Sequence, residues 1–359
     1  MSAARVAYYA GHHGRGHVTR AAAVLAHVRA RATLFTSAEV SELAAHVALV
    51  RLPPDDPRPA SDDARQPAGP LHYAPIGHPG LRRRMARLAA WAGEGPGVLV
   101  SDVSAEVAVL GRLLSLPVVA VRQHGARWDA GHALGYRLAA RLLAPFPATL
   151  EEPDAPDWVR DKTEYAGGFS RFDGRPRPAE IDRQSVVVLG GAGTDGPGSG
   201  AAWTARDLAD AARATPRWRW SVLGAGTPDD APPNLTGLGW VEDPFPAMAR
   251  AEVVVAHGGH NVVMEAAAAG RPLVAVAAPR PFDEQARKAR ALGRAGAAVA
   301  CPAWPAPGDW PGVLDRARSL DLSPLRALSD GRGARRAAAL LDRLAEAAAR
   351  AEAAPTGDS

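Results

Sequence analysis

The sequence predicts an α/β protein with two doubly wound parallel sheets, and three observations carry that expectation. Short apolar, β-branched runs recur between stretches patterned as helices. The alternation halts at a Gly-, Arg- and Pro-rich segment and then starts again. The length of 359 residues is about two domains' worth of chain, at roughly 150 residues each.

In the first half, Val6 to Tyr9, Ala32 to Phe35, Val98 to Val100 and Val118 to Val121 read as buried strands, because their apolar residues are continuous rather than alternating. Thr19 to Val28, Arg82 to Trp91 and Ala105 to Leu114 carry the helices between them. The Pro- and Asp-rich run from Pro53 to Pro70 is a long loop of the kind that is either functional or disordered. This first domain is assigned to residues 1–166, and residues 167–183, which include Gly167 to Pro178, form a linker. A second domain over 184–332 repeats the pattern. Its strands are Val186 to Leu189, Trp218 to Leu223, Val253 to Ala256 and Leu273 to Val276; its helices are Trp203 to Ala214, Val262 to Ala269 and Asp283 to Leu292. Residues 333–359 are a terminal helix, Gly333 to Glu352, followed by a fraying tail.

Composition excludes more than it proposes. With 47% hydrophobic and 22% charged residues the chain is neither disordered nor collagenous. A lone cysteine, Cys301, admits no intramolecular disulfide, and no Cys/His cluster has zinc spacing. The net charge of +4 comes almost wholly from arginine, since only Lys162 and Lys288 are lysines. These arginines are scattered among Ala, Gly and Pro instead of forming a stripe, so no nucleic-acid partner is expected. Early charged residues and the lack of any apolar run near 18 residues predict a cytoplasmic protein. The arginine-rich helix from Leu81 to Trp91 either leans on anionic lipid as a peripheral contact or presents a solvated face.

Ligands of open parallel sheets sit beyond the carboxyl ends of the strands, and both domains place glycine-rich loops there. The first runs Gly11-His12-His13-Gly14-Arg15-Gly16-His17-Val18-Thr19-Arg20 into an alanine-rich helix. Its glycines permit a sharp strand-to-helix turn, and His17, near the helix start, is a candidate general base. Read alone, Gly14 and Gly16 could merely build the turn, but His12, His13, His17 and Arg20 crowd one place. In the second domain Val253 to Ala256 leads into His257-Gly258-Gly259-His260-Asn261 and, four residues further, Glu265. The free amides and positive end of that helix suit a diphosphate, and Glu265, one turn deeper on the face of Asn261, suits two ribose hydroxyls.

On these motifs the chain resembles glycosyltransferases of the GT-B type, of families 1 and 28, the latter including MurG-like enzymes. Gly14-Arg-Gly16-His17-Val-Thr-Arg20 is similar to their Gly-x-Gly-His-x-x-Arg loop, and His257-Gly-Gly-His-Asn to Glu265, with Gly270-x-Pro272 and Glu284-Gln285, is similar to their donor signature. The resemblance implies two Rossmann-like domains facing across a cleft and a nucleotide-sugar donor with a hydroxyl acceptor. It implies His17 as acceptor-activating base, His257 and the amides after it on the diphosphate, Glu265 on ribose, and Glu284 with Gln285 on the sugar. Because the glutamine is preceded by Asp-Glu, either Asp283 or Glu284 would face the sugar.

Seven further positions complete the candidate set. Gly191 and Gly193, in the turn after the first strand of the second domain, form either a second phosphate cradle or a plain turn; no Gly-Lys-Ser/Thr follows, so this is no P-loop. Trp240 and Val241 resemble a segment that faces the nucleotide base, with Trp240 equally readable as core. Asp102 either orients His17 as the third member of a triad or caps the helix after it. Gln123 and His124, with Arg20, belong to the acceptor side. The absence of Asp-x-Asp points to leaving-group stabilisation by helix amides without a metal, and no cofactor is expected. The expected function is inverting transfer of a hexose-type sugar from a uridine diphosphate donor. The alternatives are a MurG-like nucleotide-sugar hydrolase and a non-catalytic nucleotide-sugar binding module.

Overall fold

The computed structural model describes residues 4–12, 16–55, 70–190 and 203–354. The first sheet has seven strands in the order β3-β2-β1-β4-β5-β6-β7. They are β1 (Arg5–Ala10), β2 (Arg31–Thr36), β3 (Ala48–Arg51), β4 (Val98–Asp102), β5 (Val118–Val121), β6 (Arg141–Ala144) and β7 (Thr163–Tyr165). Its helices are α1 (Gly16–Leu25), α2 (Pro79–Gly93), α3 (Ala105–Leu113), α4 (Ala130–Leu138) and α5 (Asp157–Asp161). The second sheet has the order β10-β9-β8-β11-β12-β13: β8 (Asp182–Leu189), β9 (Arg219–Leu223), β10 (Leu235–Gly237), β11 (Ala251–His257), β12 (Leu273–Val276) and β13 (Val299–Cys301). Around it lie α6 (Ala205–Ala214), α7 (Phe245–Arg250), α8 (His260–Ala269), α9 (Glu284–Arg294), α10 (Trp310–Arg318) and α11 (Ser323–Arg326), and α12 (Gly333–Ala353) closes the described chain.

Every pairing between named strands is parallel, and the central strands are buried on both faces: all six residues of β1 and all five of β4 are buried. That burial is why these strands read as unbroken apolar runs. The edge strand β3 is largely exposed, and its Ala-Leu-Val-Arg gives no such signal. The expected helix over Trp203 to Ala214 begins at Ala205, because Thr204 and Asp207 form a capping box there, while Trp203 packs against Trp304. The expected loop from Pro53 to Pro70 lies for the most part outside the described residues, as does the tail beyond Ala354.

The stretch between the sheets is short of side chains for a packing reason. A Cβ on Gly168 would stand 2.2 Å from Met264 Sδ and 2.6 Å from the Leu328 carbonyl, and Gly168 N–H donates to that carbonyl at 2.7 Å. Two crossings therefore pass each other here, one leaving the first sheet and one returning. The returning crossing feeds α12, whose Ala337, Leu341 and Ala345 pack against Val6, Tyr8 and Leu25 of the first sheet and α1. Asp342, 4% exposed at its side chain, accepts the backbone N–H groups of Arg29 and Ala30, each at 3.0 Å. No helix among the described residues is long and apolar enough to cross a membrane.

Candidate active site

Strand register sets the first half of the site. Ala10, the last residue of β1, pairs with Asp102, the last of β4, so the loops after both strands emerge side by side. Asp102 is enclosed: it accepts from Tyr8 Oη at 2.9 Å and from Arg20 Nε and Nη2 at 2.9 and 2.6 Å, and His17 Nδ1 lies 3.0 Å away. Burial alone would raise its pKa, but the Arg20 guanidinium and His17 hold it well below the usual carboxylate range. His17 Nδ1 faces both this carboxylate, which only accepts, and Arg20 Nη2, which only donates, at 3.1 Å; with the ring proton on Nδ1 and turned to Asp102, Nε2 carries the lone pair. The helix-cap alternative for Asp102 does not hold, since Ser104 caps α3 by accepting from Val107 N–H. The residue between them, Val103, has φ +74°, a costly conformation for a β-branched side chain, which tips the chain sharply from β4 into α3.

The second half forms where β11 turns into α8. A Cβ on Gly259 would sit 2.5 Å from His257 Cε1, and one on Gly258 would sit 2.9 Å from the Gln285 carbonyl, so the Gly-Gly pair is a steric requirement. His257 Nδ1 accepts from Gly259 N–H at 3.0 Å, with Gln285 Nε2 at 3.3 Å. Two donors on Nδ1 leave the proton of the neutral ring on Nε2, and burial, aided by Arg280 and Lys288, lowers this histidine to about 4. Gln285 Oε1 meanwhile accepts from Ala278 N–H at 3.1 Å, tying the loop after β12 to the turn. No side chain caps α8, which leaves its first amides open.

The two halves touch. Asn261 Nδ2 donates to the Gly16 carbonyl at 3.3 Å, bringing the start of α1 onto the first turn of α8. Glu265 lies one turn below Asn261 and, with Thr19, Arg20, Phe169 and Ser170, borders a cleft between the helices; its carboxylate accepts from Arg171 Nε at 2.9 Å. Burial raises the Glu265 pKa, and Arg171 offsets only part of that rise. On the other side, Glu284 Oε2 accepts from Arg127 Nη2 at 2.8 Å, while Asp283 is exposed with φ +53°. Arg127, 6% exposed, also donates to Gln123 Oε1 at 2.9 Å and to the His124 carbonyl at 3.1 Å. His124 is buried against Phe146, with Nδ1 3.2 Å from Glu152 Oε1. Beyond Asp102, a second cleft is lined by Val103, Ala105, Ala108, Val121, His132 and Tyr136.

Of the remaining candidates, Trp240 is 62% exposed, which removes the core reading, and Val241 packs against the second domain's core. His13, Gly14, Arg15, Gly191 and Gly193 lie outside the described residues. Arg84, on the arginine-rich helix, is buried on Asp55 at 3.1 Å, whereas Arg82, Arg83 and Arg87 are exposed. Sequence reasoning missed Tyr8, Arg127, Arg171 and Lys288. Only Lys288 carried a signal, as one of two lysines in an arginine-rich chain.

Residues 230–305, which span Trp240, the β11–α8 turn and Glu284-Gln285, match the family model described as the glycosyltransferase family 28 C-terminal domain. The fold is GT-B. Solved structures extend that likeness over almost the whole chain. The glycotransferase of kitacinnamycin is 20% identical with a TM-score of 0.66, covering 96% of this chain and 100% of its own. Acinetobacter baumannii MurG is 18% identical with a TM-score of 0.61, covering 94% and 99%. Phytolacca americana UGT2, complexed with UDP-2fluoro-glucose and pterostilbene, is 16% identical with a TM-score of 0.58, covering 99% and 97%. No curated protein matches the chain. Residues 230–305 are thus similar to a glycosyltransferase family 28 C-terminal domain within a GT-B fold, with Gly16 of the first domain against helix α8.

Proposed function

We propose that the protein transfers a hexose-type sugar from a uridine diphosphate donor to a hydroxyl acceptor, with inversion and without a metal. The observation that carries this reading is the juxtaposition of His17, held on buried Asp102, with the open N-terminus of α8 through the Asn261 to Gly16 contact. The uridine diphosphate assignment draws support from the ligand of the Phytolacca americana structure. Glu265, stripped of most of its water, is suited to accept from ribose hydroxyls in place of Arg171.

In the proposed step His17 Nε2 takes the acceptor's hydroxyl proton as the oxygen attacks the anomeric carbon. The bond from that carbon to the β-phosphate oxygen breaks, and the nucleoside diphosphate leaves with the electron pair. A single displacement inverts the anomeric centre. The growing charge on the leaving oxygen falls to the α8 amides and to His257 Nε2–H, fixed donors that need no reorientation. Asp102 keeps His17 in the productive tautomer and offsets the imidazolium that forms.

The test is His17→Ala. It should leave binding of the uridine diphosphate ligand nearly intact while turnover falls by roughly 10²–10⁴. Wild-type turnover in the variant, with acceptor supplied, would remove the base from this scheme. Sugar released equally fast without any acceptor would make the protein a hydrolase, and binding without product under any condition would make it a binding module.

A further inference from the structure

Lys288 sits on α9, one turn after Glu284, and is 2% exposed. Among the described residues its ammonium has no carboxylate within ion-pair distance. Glu284, the nearest acidic residue on its own helix, is turned to Arg127 at 2.8 Å. What Lys288 Nζ does reach, at 3.2 Å, is Nδ1 of His260, the first residue of α8. The other ring nitrogen of His260, Nε2, is shielded from solvent and has no hydrogen-bond partner. A buried ammonium without a counter-ion and a shielded ring nitrogen without an acceptor are both costly, and both costs vanish if an anion enters.

We propose that Lys288 is a positioning residue for the donor diphosphate, acting through His260. An ammonium can only donate, so while charged it makes His260 Nδ1 an acceptor and fixes the ring proton on Nε2. His260 then offers an N–H at the start of α8, as His257 does through the bonds on its own Nδ1. Two neutral imidazole donors three residues apart, backed by one ammonium, supply polarity to the phosphates beside the helix amides. The proposal rests on the donor reading above; it adds Lys288 to the site and gives His260, already part of the donor signature, its role.

A lysine has a property here that arginine lacks, because its charge can be lost. The groups that act on Lys288 are Glu284 on its own helix and Arg20 of α1, together with the His260 ring; His124, after β5, acts on His260. Burial is the largest influence and lowers Lys288 to about 7, with Glu284 opposing and Arg20 assisting. A bound diphosphate favours the ammonium, so donor binding takes up a proton above neutrality and weakens as pH rises.

Calorimetric titration with UDP-glucose, without acceptor, tests this, since its diphosphate diester does not itself titrate between pH 6 and 9. Wild-type affinity should fall about tenfold per pH unit once Lys288 is mostly neutral. Lys288→Met should weaken binding roughly ten- to hundredfold at pH 6.5 and flatten the profile. Lys288→Arg should keep affinity at high pH, and His260→Gln combined with Lys288→Met should cost no more than the larger single change. Thermal unfolding of each variant identifies loss of fold, and the arginine variant keeps the idea testable if the methionine variant fails. Wild-type affinity and slope in folded Lys288→Met, or a wild-type slope in Lys288→Arg, would overturn the assignment alone. No binding of UDP-glucose by the wild type would overturn the donor reading and this assignment with it.

Discussion

Replacing Asp102 with Asn should damage stability and chemistry together, and the structure says by how much. The carboxylate accepts four contacts, and two come from Arg20, which is 3% exposed. An amide keeps the shape but loses the charge and turns one acceptor into a donor facing other donors. Arg20 then remains buried with no compensating anion, a change that costs about 3–5 kcal/mol. With a urea dependence of about 2 kcal/mol per molar, the unfolding midpoint of the first domain should drop by roughly 2 M. His17 also loses the group that dictates its tautomer, so turnover should fall by roughly 10²–10⁴. His17→Ala should lose turnover alone, with stability within about 0.5 kcal/mol of wild type. Urea titration followed by tryptophan fluorescence, paired with nucleotide release, reads both quantities. An Asp102→Asn protein that unfolds at the wild-type urea concentration would refute the charge-compensation argument.

Glu265→Ala should weaken binding of a uridine diphosphate ligand by about 1.5–3 kcal/mol in calorimetry, the value of charge-assisted bonds to ribose; unchanged affinity would remove Glu265 from the site. Turnover should survive dialysis against a chelator, and loss restored by magnesium or manganese would refute the metal-free scheme. His257 is lowered from 6.5 to about 4 in the folded protein, so the unfolded chain binds the extra proton first. The stability this contributes is complete above pH about 6.5 and is lost as pH falls toward 4. His257→Gln should therefore flatten the acid limb of a plot of unfolding midpoint against pH, and an unchanged limb would place the effect elsewhere.

The buried strands were legible because a strand covered on both faces has no polar alternation to hide in. Helix α4 was not, because Gly131 and Gly135 interrupt its pattern; a Cβ on Gly135 would stand 3.3 Å from Ala105 Cα, so the residue that lowers helix propensity lets α3 and α4 pack. In the second domain the site could be read as one motif, since β11, the turn and α8 are contiguous. The Asp102 to His17 contact spans 85 positions and follows only from β1 lying beside β4, which fixes strand ends and not rotamers. Arg127 and Glu284 are 157 positions apart and in different domains, beyond any periodicity.

Because α12 packs on the first sheet, the second domain is an insertion within the other body, joined to it by an outgoing and an incoming strand of chain that pass at Gly168 and Leu328. A body tethered at one point can swivel about any axis, whereas two adjacent tethers leave chiefly a hinge that opens and shuts like a book along one spine. The same arrangement governs dissection. A fragment cut at residue 183 would lack the helix that covers Val6, Leu25 and the carbonyl end of α1, and would expose an apolar face in water. Excising the inserted domain and rejoining Gly167 to the start of α12 through a short linker preserves that cover, and is the route to a first domain that folds alone.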